Sequence, residues 1–152
     1  MNDPEYIEFS RDDVRRLIPV MEEMAESHTG WINLEPAVHV EDAPAPRSGL
    51  FGLFSSRGPD VPFVTWTPGE VRKGRTEPTT IGILHPSGPR AKLKVDVPDG
   101  WVVLQDYSKK GLVLAVPPGV AHIDVVSWLL RAAALLSNIP LTGEWRASVY
   151  RP

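Results

Sequence analysis

The residues of this 152-residue chain whose types could do chemistry or recognition are four histidines, a serine two residues after one of them, and a doubled Gly-Leu-Phe triplet. No two of His28, His39, His85 and His122 stand at the i, i+3 or i+4 spacing that places paired metal ligands on one helical face, so no metal site is expected. His85 closes an apolar run and enters Pro86-Ser87-Gly88-Pro89, which brings an imidazole close to a hydroxyl. Nucleophilic catalysis by Ser87 would also need an orienting carboxylate and an oxyanion donor pair, and no G-x-S-x-G elbow is present. Turn geometry accounts for the proline, serine and glycine by itself. Gly49, Gly52 and Gly58 match neither the dinucleotide nor the P-loop phosphate pattern, and no cofactor is expected.

The feature that a generic fold explains least is the segment Gly49-Leu50-Phe51-Gly52-Leu53-Phe54. Leaving such side chains in water forgoes about 1.5–3 kcal/mol each relative to burial. Leu50, Phe51, Leu53 and Phe54 therefore either fold back over a sheet face or act as anchors in a partner's groove. A second, weaker set of candidates would line a small-molecule pocket between the sheet and this loop: Trp66, Arg75, His85 and Asp106.

Composition bounds what must position these groups. One domain spanning residues 1–152 is expected at this length. Proline and glycine together make up 28 of the 152 residues, below the roughly 25–30% that marks low-complexity disorder. With no cysteine, disulfides, thiolate nucleophiles and cysteine-based metal sites are excluded. The acidic amino terminus has no basic and apolar leader pattern, which makes the cytoplasm the expected address. The most apolar stretch, 123–136, holds Asp124 and Arg131 and is shorter than the ~18 residues of a membrane span, so no membrane association is expected.

Charge is unevenly spread. Residues 1–45 carry eleven acids against three arginines, whereas the remainder carries eight acids against thirteen Lys or Arg. The basic residues cluster at 72–75, 90–94 and 109–110, where they read as solvated turns. With a net charge of −3, nucleic acid is the least favoured partner.

Apolar spacing from Val14 to His28 is helical, with Pro19 inside it, which predicts a kinked helix over 11–28 or two shorter pieces meeting at the proline. A Ser10/Asp13 pair resembles a capping box at its start. Residues 31–40 suit a short edge strand interrupted by Pro36, and 41–62 form a long Pro- and Gly-rich loop. Strands are expected at 61–67, 79–85, 91–97, 101–107 and 111–116, with hairpin chemistry at 98–100 and 108–111. The third of these alternates Leu93, Val95 and Val97 with charged residues. The last two are apolar on both sides and read as central strands. A buried helix over 121–137 and a final strand with Trp145, Ala147 and Val149 inward complete the chain.

The expected fold is α+β: a mostly antiparallel sheet of five to six strands, with an N-terminal helix and a buried C-terminal helix on one face. The expected function is a small non-catalytic interaction, assembly or regulatory protein, self-associating as a homodimer through a sheet edge or the 41–62 loop or binding another protein. The alternative is a small-molecule binding protein or enzyme with the pocket described above.

Overall fold

The computed structural model describes residues 3–43 and 58–152. Its strands are β1 (Glu5–Ser10), β2 (Trp31–Val38), β3 (Phe63–Thr67), β4 (Val71–Arg72), β5 (Arg75–Thr76), β6 (Thr79–Leu84), β7 (Val102–Tyr107), β8 (Gly111–Val116) and β9 (Leu141–Tyr150), and its helices are α1 (Ile18–Ser27) and α2 (His122–Leu136). Seven strands form one sheet in the order β1-β9-β2-β3-β6-β8-β7, while β4 and β5 pair as a separate small hairpin. Every neighbouring pair in the large sheet is antiparallel.

The strand registers sort side chains onto two faces. Pairing of Leu34 with Val64 and Ala147, of Val64 with Ile83 and of Ile83 with Leu112 places one apolar row across five strands. Ile32, Trp66, Ile81 and Leu114 form a second row beside it. Both rows are buried in one cluster with Leu17, Met21 and Met24 from the α1 region and Val125, Trp128, Leu129 and Leu136 of α2. The helices thus cover one face, and neither covers the other.

Pro19 decides how the first helical segment begins. A proline fits only the first turn, where its missing N–H has no intrahelical acceptor to lose. The chain accordingly makes a 3-10 turn at Arg15–Leu17 and starts α1 at Ile18, the two-piece form. Ser10 and Asp13 do not cap this helix. They close a turn after β1, where Asp13 N–H donates to the Ser10 carbonyl at 2.9 Å. His28, at φ 55, takes the left-handed conformation that ends α1.

Four expectations are corrected. Residues 5–10 form a strand, which raises the sheet to seven. β2 is an interior strand between β9 and β3, not an edge. Its pairing with β3 runs only from Ile32 to Leu34, so at Pro36 it has one neighbour and a bulge follows, and the proline is tolerated there. Residues 91–97 are not a strand but a 3-10 turn at Ala91–Leu93 and further turns. Ala91 and Val95, four residues apart, are buried while Leu93 is exposed, and the turn at 98–100 joins no hairpin. β7 is an outer strand rather than a central one. The hairpin at 108–111 is present, joining β7 to β8.

Leu129→Ala, in the fully buried row of α2, is expected to lower unfolding free energy by about 3 kcal/mol in urea titration, whereas Leu135→Ala on the exposed side of the same helix should change it by less than about 0.5 kcal/mol.

Candidate functional site

The structure brings two of the four pocket candidates together. His85 leaves the end of β6 and is fully buried. Its Nδ1 accepts the Ser87 backbone N–H at 3.1 Å, which fixes the neutral ring with its proton on Nε2, and that atom has no hydrogen-bond partner. Asp106 in β7 spends both carboxylate oxygens on backbone, accepting from Ala91 N at 3.0 Å and Lys92 N at 3.2 Å. This side chain replaces a strand neighbour for the 91–97 segment and holds it as a turn. Lys94 Nζ donates to the Ser87 carbonyl, and the Ser87 hydroxyl donates to the Leu136 carbonyl at 2.9 Å, closing the C-terminal end of α2.

These bonds describe what the cluster does chemically. The Ser87 hydroxyl is directed at a helix carbonyl instead of the imidazole, and the Asp106 carboxylate is directed at amides instead of the ring. His85, Ser87, Lys94 and Asp106 tie the ends of α2, β6 and β7 to the intervening turns. Trp66 and Arg75 do not join them. Trp66 lies in the core, edge-on to His122 at 5.9 Å between ring centroids, with its indole N–H unpartnered. Arg75 is exposed on the β4–β5 hairpin, which interrupts the connection from β3 to β6 at the end of the sheet away from His85. Leu50, Phe51, Leu53 and Phe54 lie outside the described residues. Among the described residues no group of three or more His, Asp or Glu is placed to hold a metal ion, and no helix is long and apolar enough to cross a membrane.

Two surfaces stand out that sequence reasoning did not single out. The first is the half-face at β3-β6-β8-β7 that no described helix covers, with the outer edge beside it. Register puts Phe63, Thr65, Gly82, Leu84 and Val113 on this face, where they line a shallow trough of about 260 Å³. Val102 and Tyr107 continue the face onto β7, opposite Ala115 and Gly111, and Leu104 stands at the bulge between Val103 and Gln105. Val102, Leu104 and Tyr107 are 56%, 56% and 61% exposed. The other half of the same face, at β1-β9-β2, is polar and internally paired. Arg146 lies 4.9 Å over the Tyr6 ring and 3.7 Å from Glu35, Trp31 stacks on Tyr150 at 5.0 Å, and Thr65 donates to Asn33 at 3.0 Å.

The second is a cleft of about 300 Å³ where the end of β1, the start of β9 and one side of α2 meet, with Arg11 and Arg131 among its lining groups. Arg131 was visible in the sequence as the one full charge after Asp124 in an apolar helix. Arg11 carried no comparable signal, because its position depends on pairing between chain ends.

Comparison with protein-family models, with curated proteins and with solved structures finds no match to this chain.

Burial holds the His85 pKa below its ordinary 6.5, and although the Asp106 carboxylate pulls it upward, desolvation prevails. As pH falls through 6.5 the unfolded chain takes up this proton before the folded one does, so stability declines. The slope contributed is at most about 1.4 kcal/mol per pH unit and ends below the folded-state pKa. Asp13, held down to about 2 chiefly by the hydrogen bond from the Arg15 side chain, stays ionised between pH 7.5 and 5 and adds nothing there. Urea unfolding across that interval should show the decline in the wild type and a flatter profile in His85→Gln; equal slopes would remove His85 as its source.

Proposed function

We propose that this protein is a non-catalytic assembly component that associates with a second copy of itself through β7. Two β7 strands would pair antiparallel about a two-fold axis and join two seven-stranded sheets into one. The observation that carries this reading is the contrast between the two outer strands. β1 presents Glu5 and Glu8 at its edge, its Glu8 carbonyl is occupied by Arg16 Nη1 at 3.2 Å, and Glu5 pairs with Arg151 at 3.0 Å. Charge and occupied acceptors of this kind discourage strand addition.

β7 has the opposite character. Its outer side pairs with no described strand, and its exposed side chains at Val102, Leu104 and Tyr107 are apolar or aromatic. Leu93, exposed on the neighbouring turn that Asp106 holds, adds a further apolar side chain near that edge. A short strand edge buries little surface, so the association is weak and depends on concentration. The second route considered from sequence, docking through Leu50, Phe51, Leu53 and Phe54, keeps its chemical rationale and makes a different prediction.

Sedimentation velocity over a range of concentrations should show monomer and dimer in exchange for the wild type. Leu104→Lys, at an exposed position, should leave the melting temperature nearly unchanged and abolish the dimer. A dimer that survives Leu104→Lys and Val102→Lys but is lost in Phe51→Ser would move the interface to the loop and overturn the β7 reading, as would a wild type that stays monomeric at every concentration.

A further inference from the structure

We infer that the cleft between the end of β1, α2 and the start of β9 is a binding site for a small phosphate monoester with a compact apolar or aromatic body. The cleft lies at the opposite side of the sheet from β7, so the inference stands independently of the assembly reading.

The construction begins with Gly143. Its φ of +93 lies in the left-handed region, and its carbonyl accepts the Arg11 backbone N–H at 2.8 Å. A Cβ at this position would come within 3.1 Å of Arg11 Nε and 3.4 Å of Arg11 Cδ. The missing side chain is therefore the space through which the Arg11 stem crosses β9 to reach the cleft. Arg131 lines the same cleft from α2, one turn after Ser127, which also lines it.

Position, more than charge pairing alone, sets these two arginines apart from others on the surface. Arg15, Arg72, Arg146 and Arg151 each have a carboxylate within 4.0 Å. Arg11 and Arg131 have none among the described residues, a property that Arg16, Arg75 and Arg90 share, but Arg11 and Arg131 line one cleft together, and the Ser127 hydroxyl makes no hydrogen bond there. These two guanidinium groups are open to solvent on one concave site, and each presents a planar fork of donors matched to an oxyanion. Buried Trp145 and the side chains of Leu130 and Leu141 supply the apolar surface below. One acid, Asp12, also lines the cleft and opposes anion binding. Against that opposing charge two arginines favour a doubly charged head over a single carboxylate, which is why a phosphate monoester is the assigned class. A volume of about 300 Å³ suits one ring or a short chain beyond the head, at the small end of ligand pockets.

The probe is phenyl phosphate, added to the isotope-labelled full chain and followed by two-dimensional NMR. Saturable shifts are expected at the Gly143 and Ser127 amides and at the Trp145 indole N–H. Each of Arg11→Gln and Arg131→Gln should weaken binding about tenfold, the loss of one charge-assisted contact. Asp12→Asn should tighten it. Phenol, which keeps the ring and lacks the head, should not bind, and benzoate should bind more weakly than phenyl phosphate. Arg131 is exposed on a helix surface, so its substitution decides the matter even if Arg11→Gln loosens the end of β1. Absence of saturable shifts up to millimolar phenyl phosphate, shifts unchanged in Arg131→Gln, or benzoate binding as tightly as the phosphate would each overturn the assignment.

Discussion

One apolar layer, built by Ile32, Leu34, Val64, Trp66, Ile81 and Leu114 from the sheet and by the inward sides of α1 and α2, holds both helices to the strands. The two helices cover a single face of the seven-stranded sheet, so among the described residues the second face and both outer strands are left to their own chemistry. The protein does this unevenly. At β1-β9-β2 the second face carries an ion pair, an arginine over a tyrosine ring and a pair of stacked rings; at β3-β6-β8-β7 it carries Phe63, Leu84, Val113, Val102 and Tyr107 beside Thr65 and Gln105. The polar half coincides with the outer strand that exposes acids, and the apolar half with the one whose exposed side chains are Val102, Leu104 and Tyr107. An edge strand that exposes unpaired backbone beside apolar side chains is a template for strand addition, and β7 has both features.

How much of this was legible in the sequence depended on whether an element's environment is local. α2 could be read because its apolar residues recur on nearly every side over fifteen positions, a pattern that only burial satisfies. β9 could be read because Trp145, Ala147 and Val149 alternate with polar residues, and the β7–β8 hairpin because Gly111, at φ +82, sits where the turn needs it. The segment 91–97 alternates just as well, yet its first two backbone amides, at Ala91 and Lys92, are taken by Asp106, 15 and 14 residues away, and the Asp96 carbonyl by the Trp128 indole at 2.9 Å. Strand periodicity cannot reveal a competitor for backbone hydrogen bonds that arrives from elsewhere in the fold.

The position of a strand within the sheet is also non-local. Val102-Val103-Leu104 looks like the interior of a sheet because it is apolar on both sides, but β7 is outermost, and the apolar residues on its second face are the ones left in water. β2, with a proline, looks like an edge and lies inside, since β3 abandons the ladder before Pro36 is reached. The candidate sites follow the same logic. His85 and Asp106 were found because strand ends and polar strand residues are visible, while the Arg11–Arg131 cleft joins the first strand to the last helix and has no signature at any fixed spacing. The reading of β7 as a sheet interior and the proposal of β7 as an interface rest on one property, apolarity on both faces, with the second neighbour supplied by another chain.

The central claim is that Val102–Leu104 gain a strand neighbour when two chains meet. Amide hydrogen exchange measured at low and high protein concentration tests it at the residues concerned. The account predicts that protection of the β7 amides rises with concentration while that of the β1 amides stays constant. Exchange at β7 that is independent of concentration, or a rise in protection confined to β1, would contradict it.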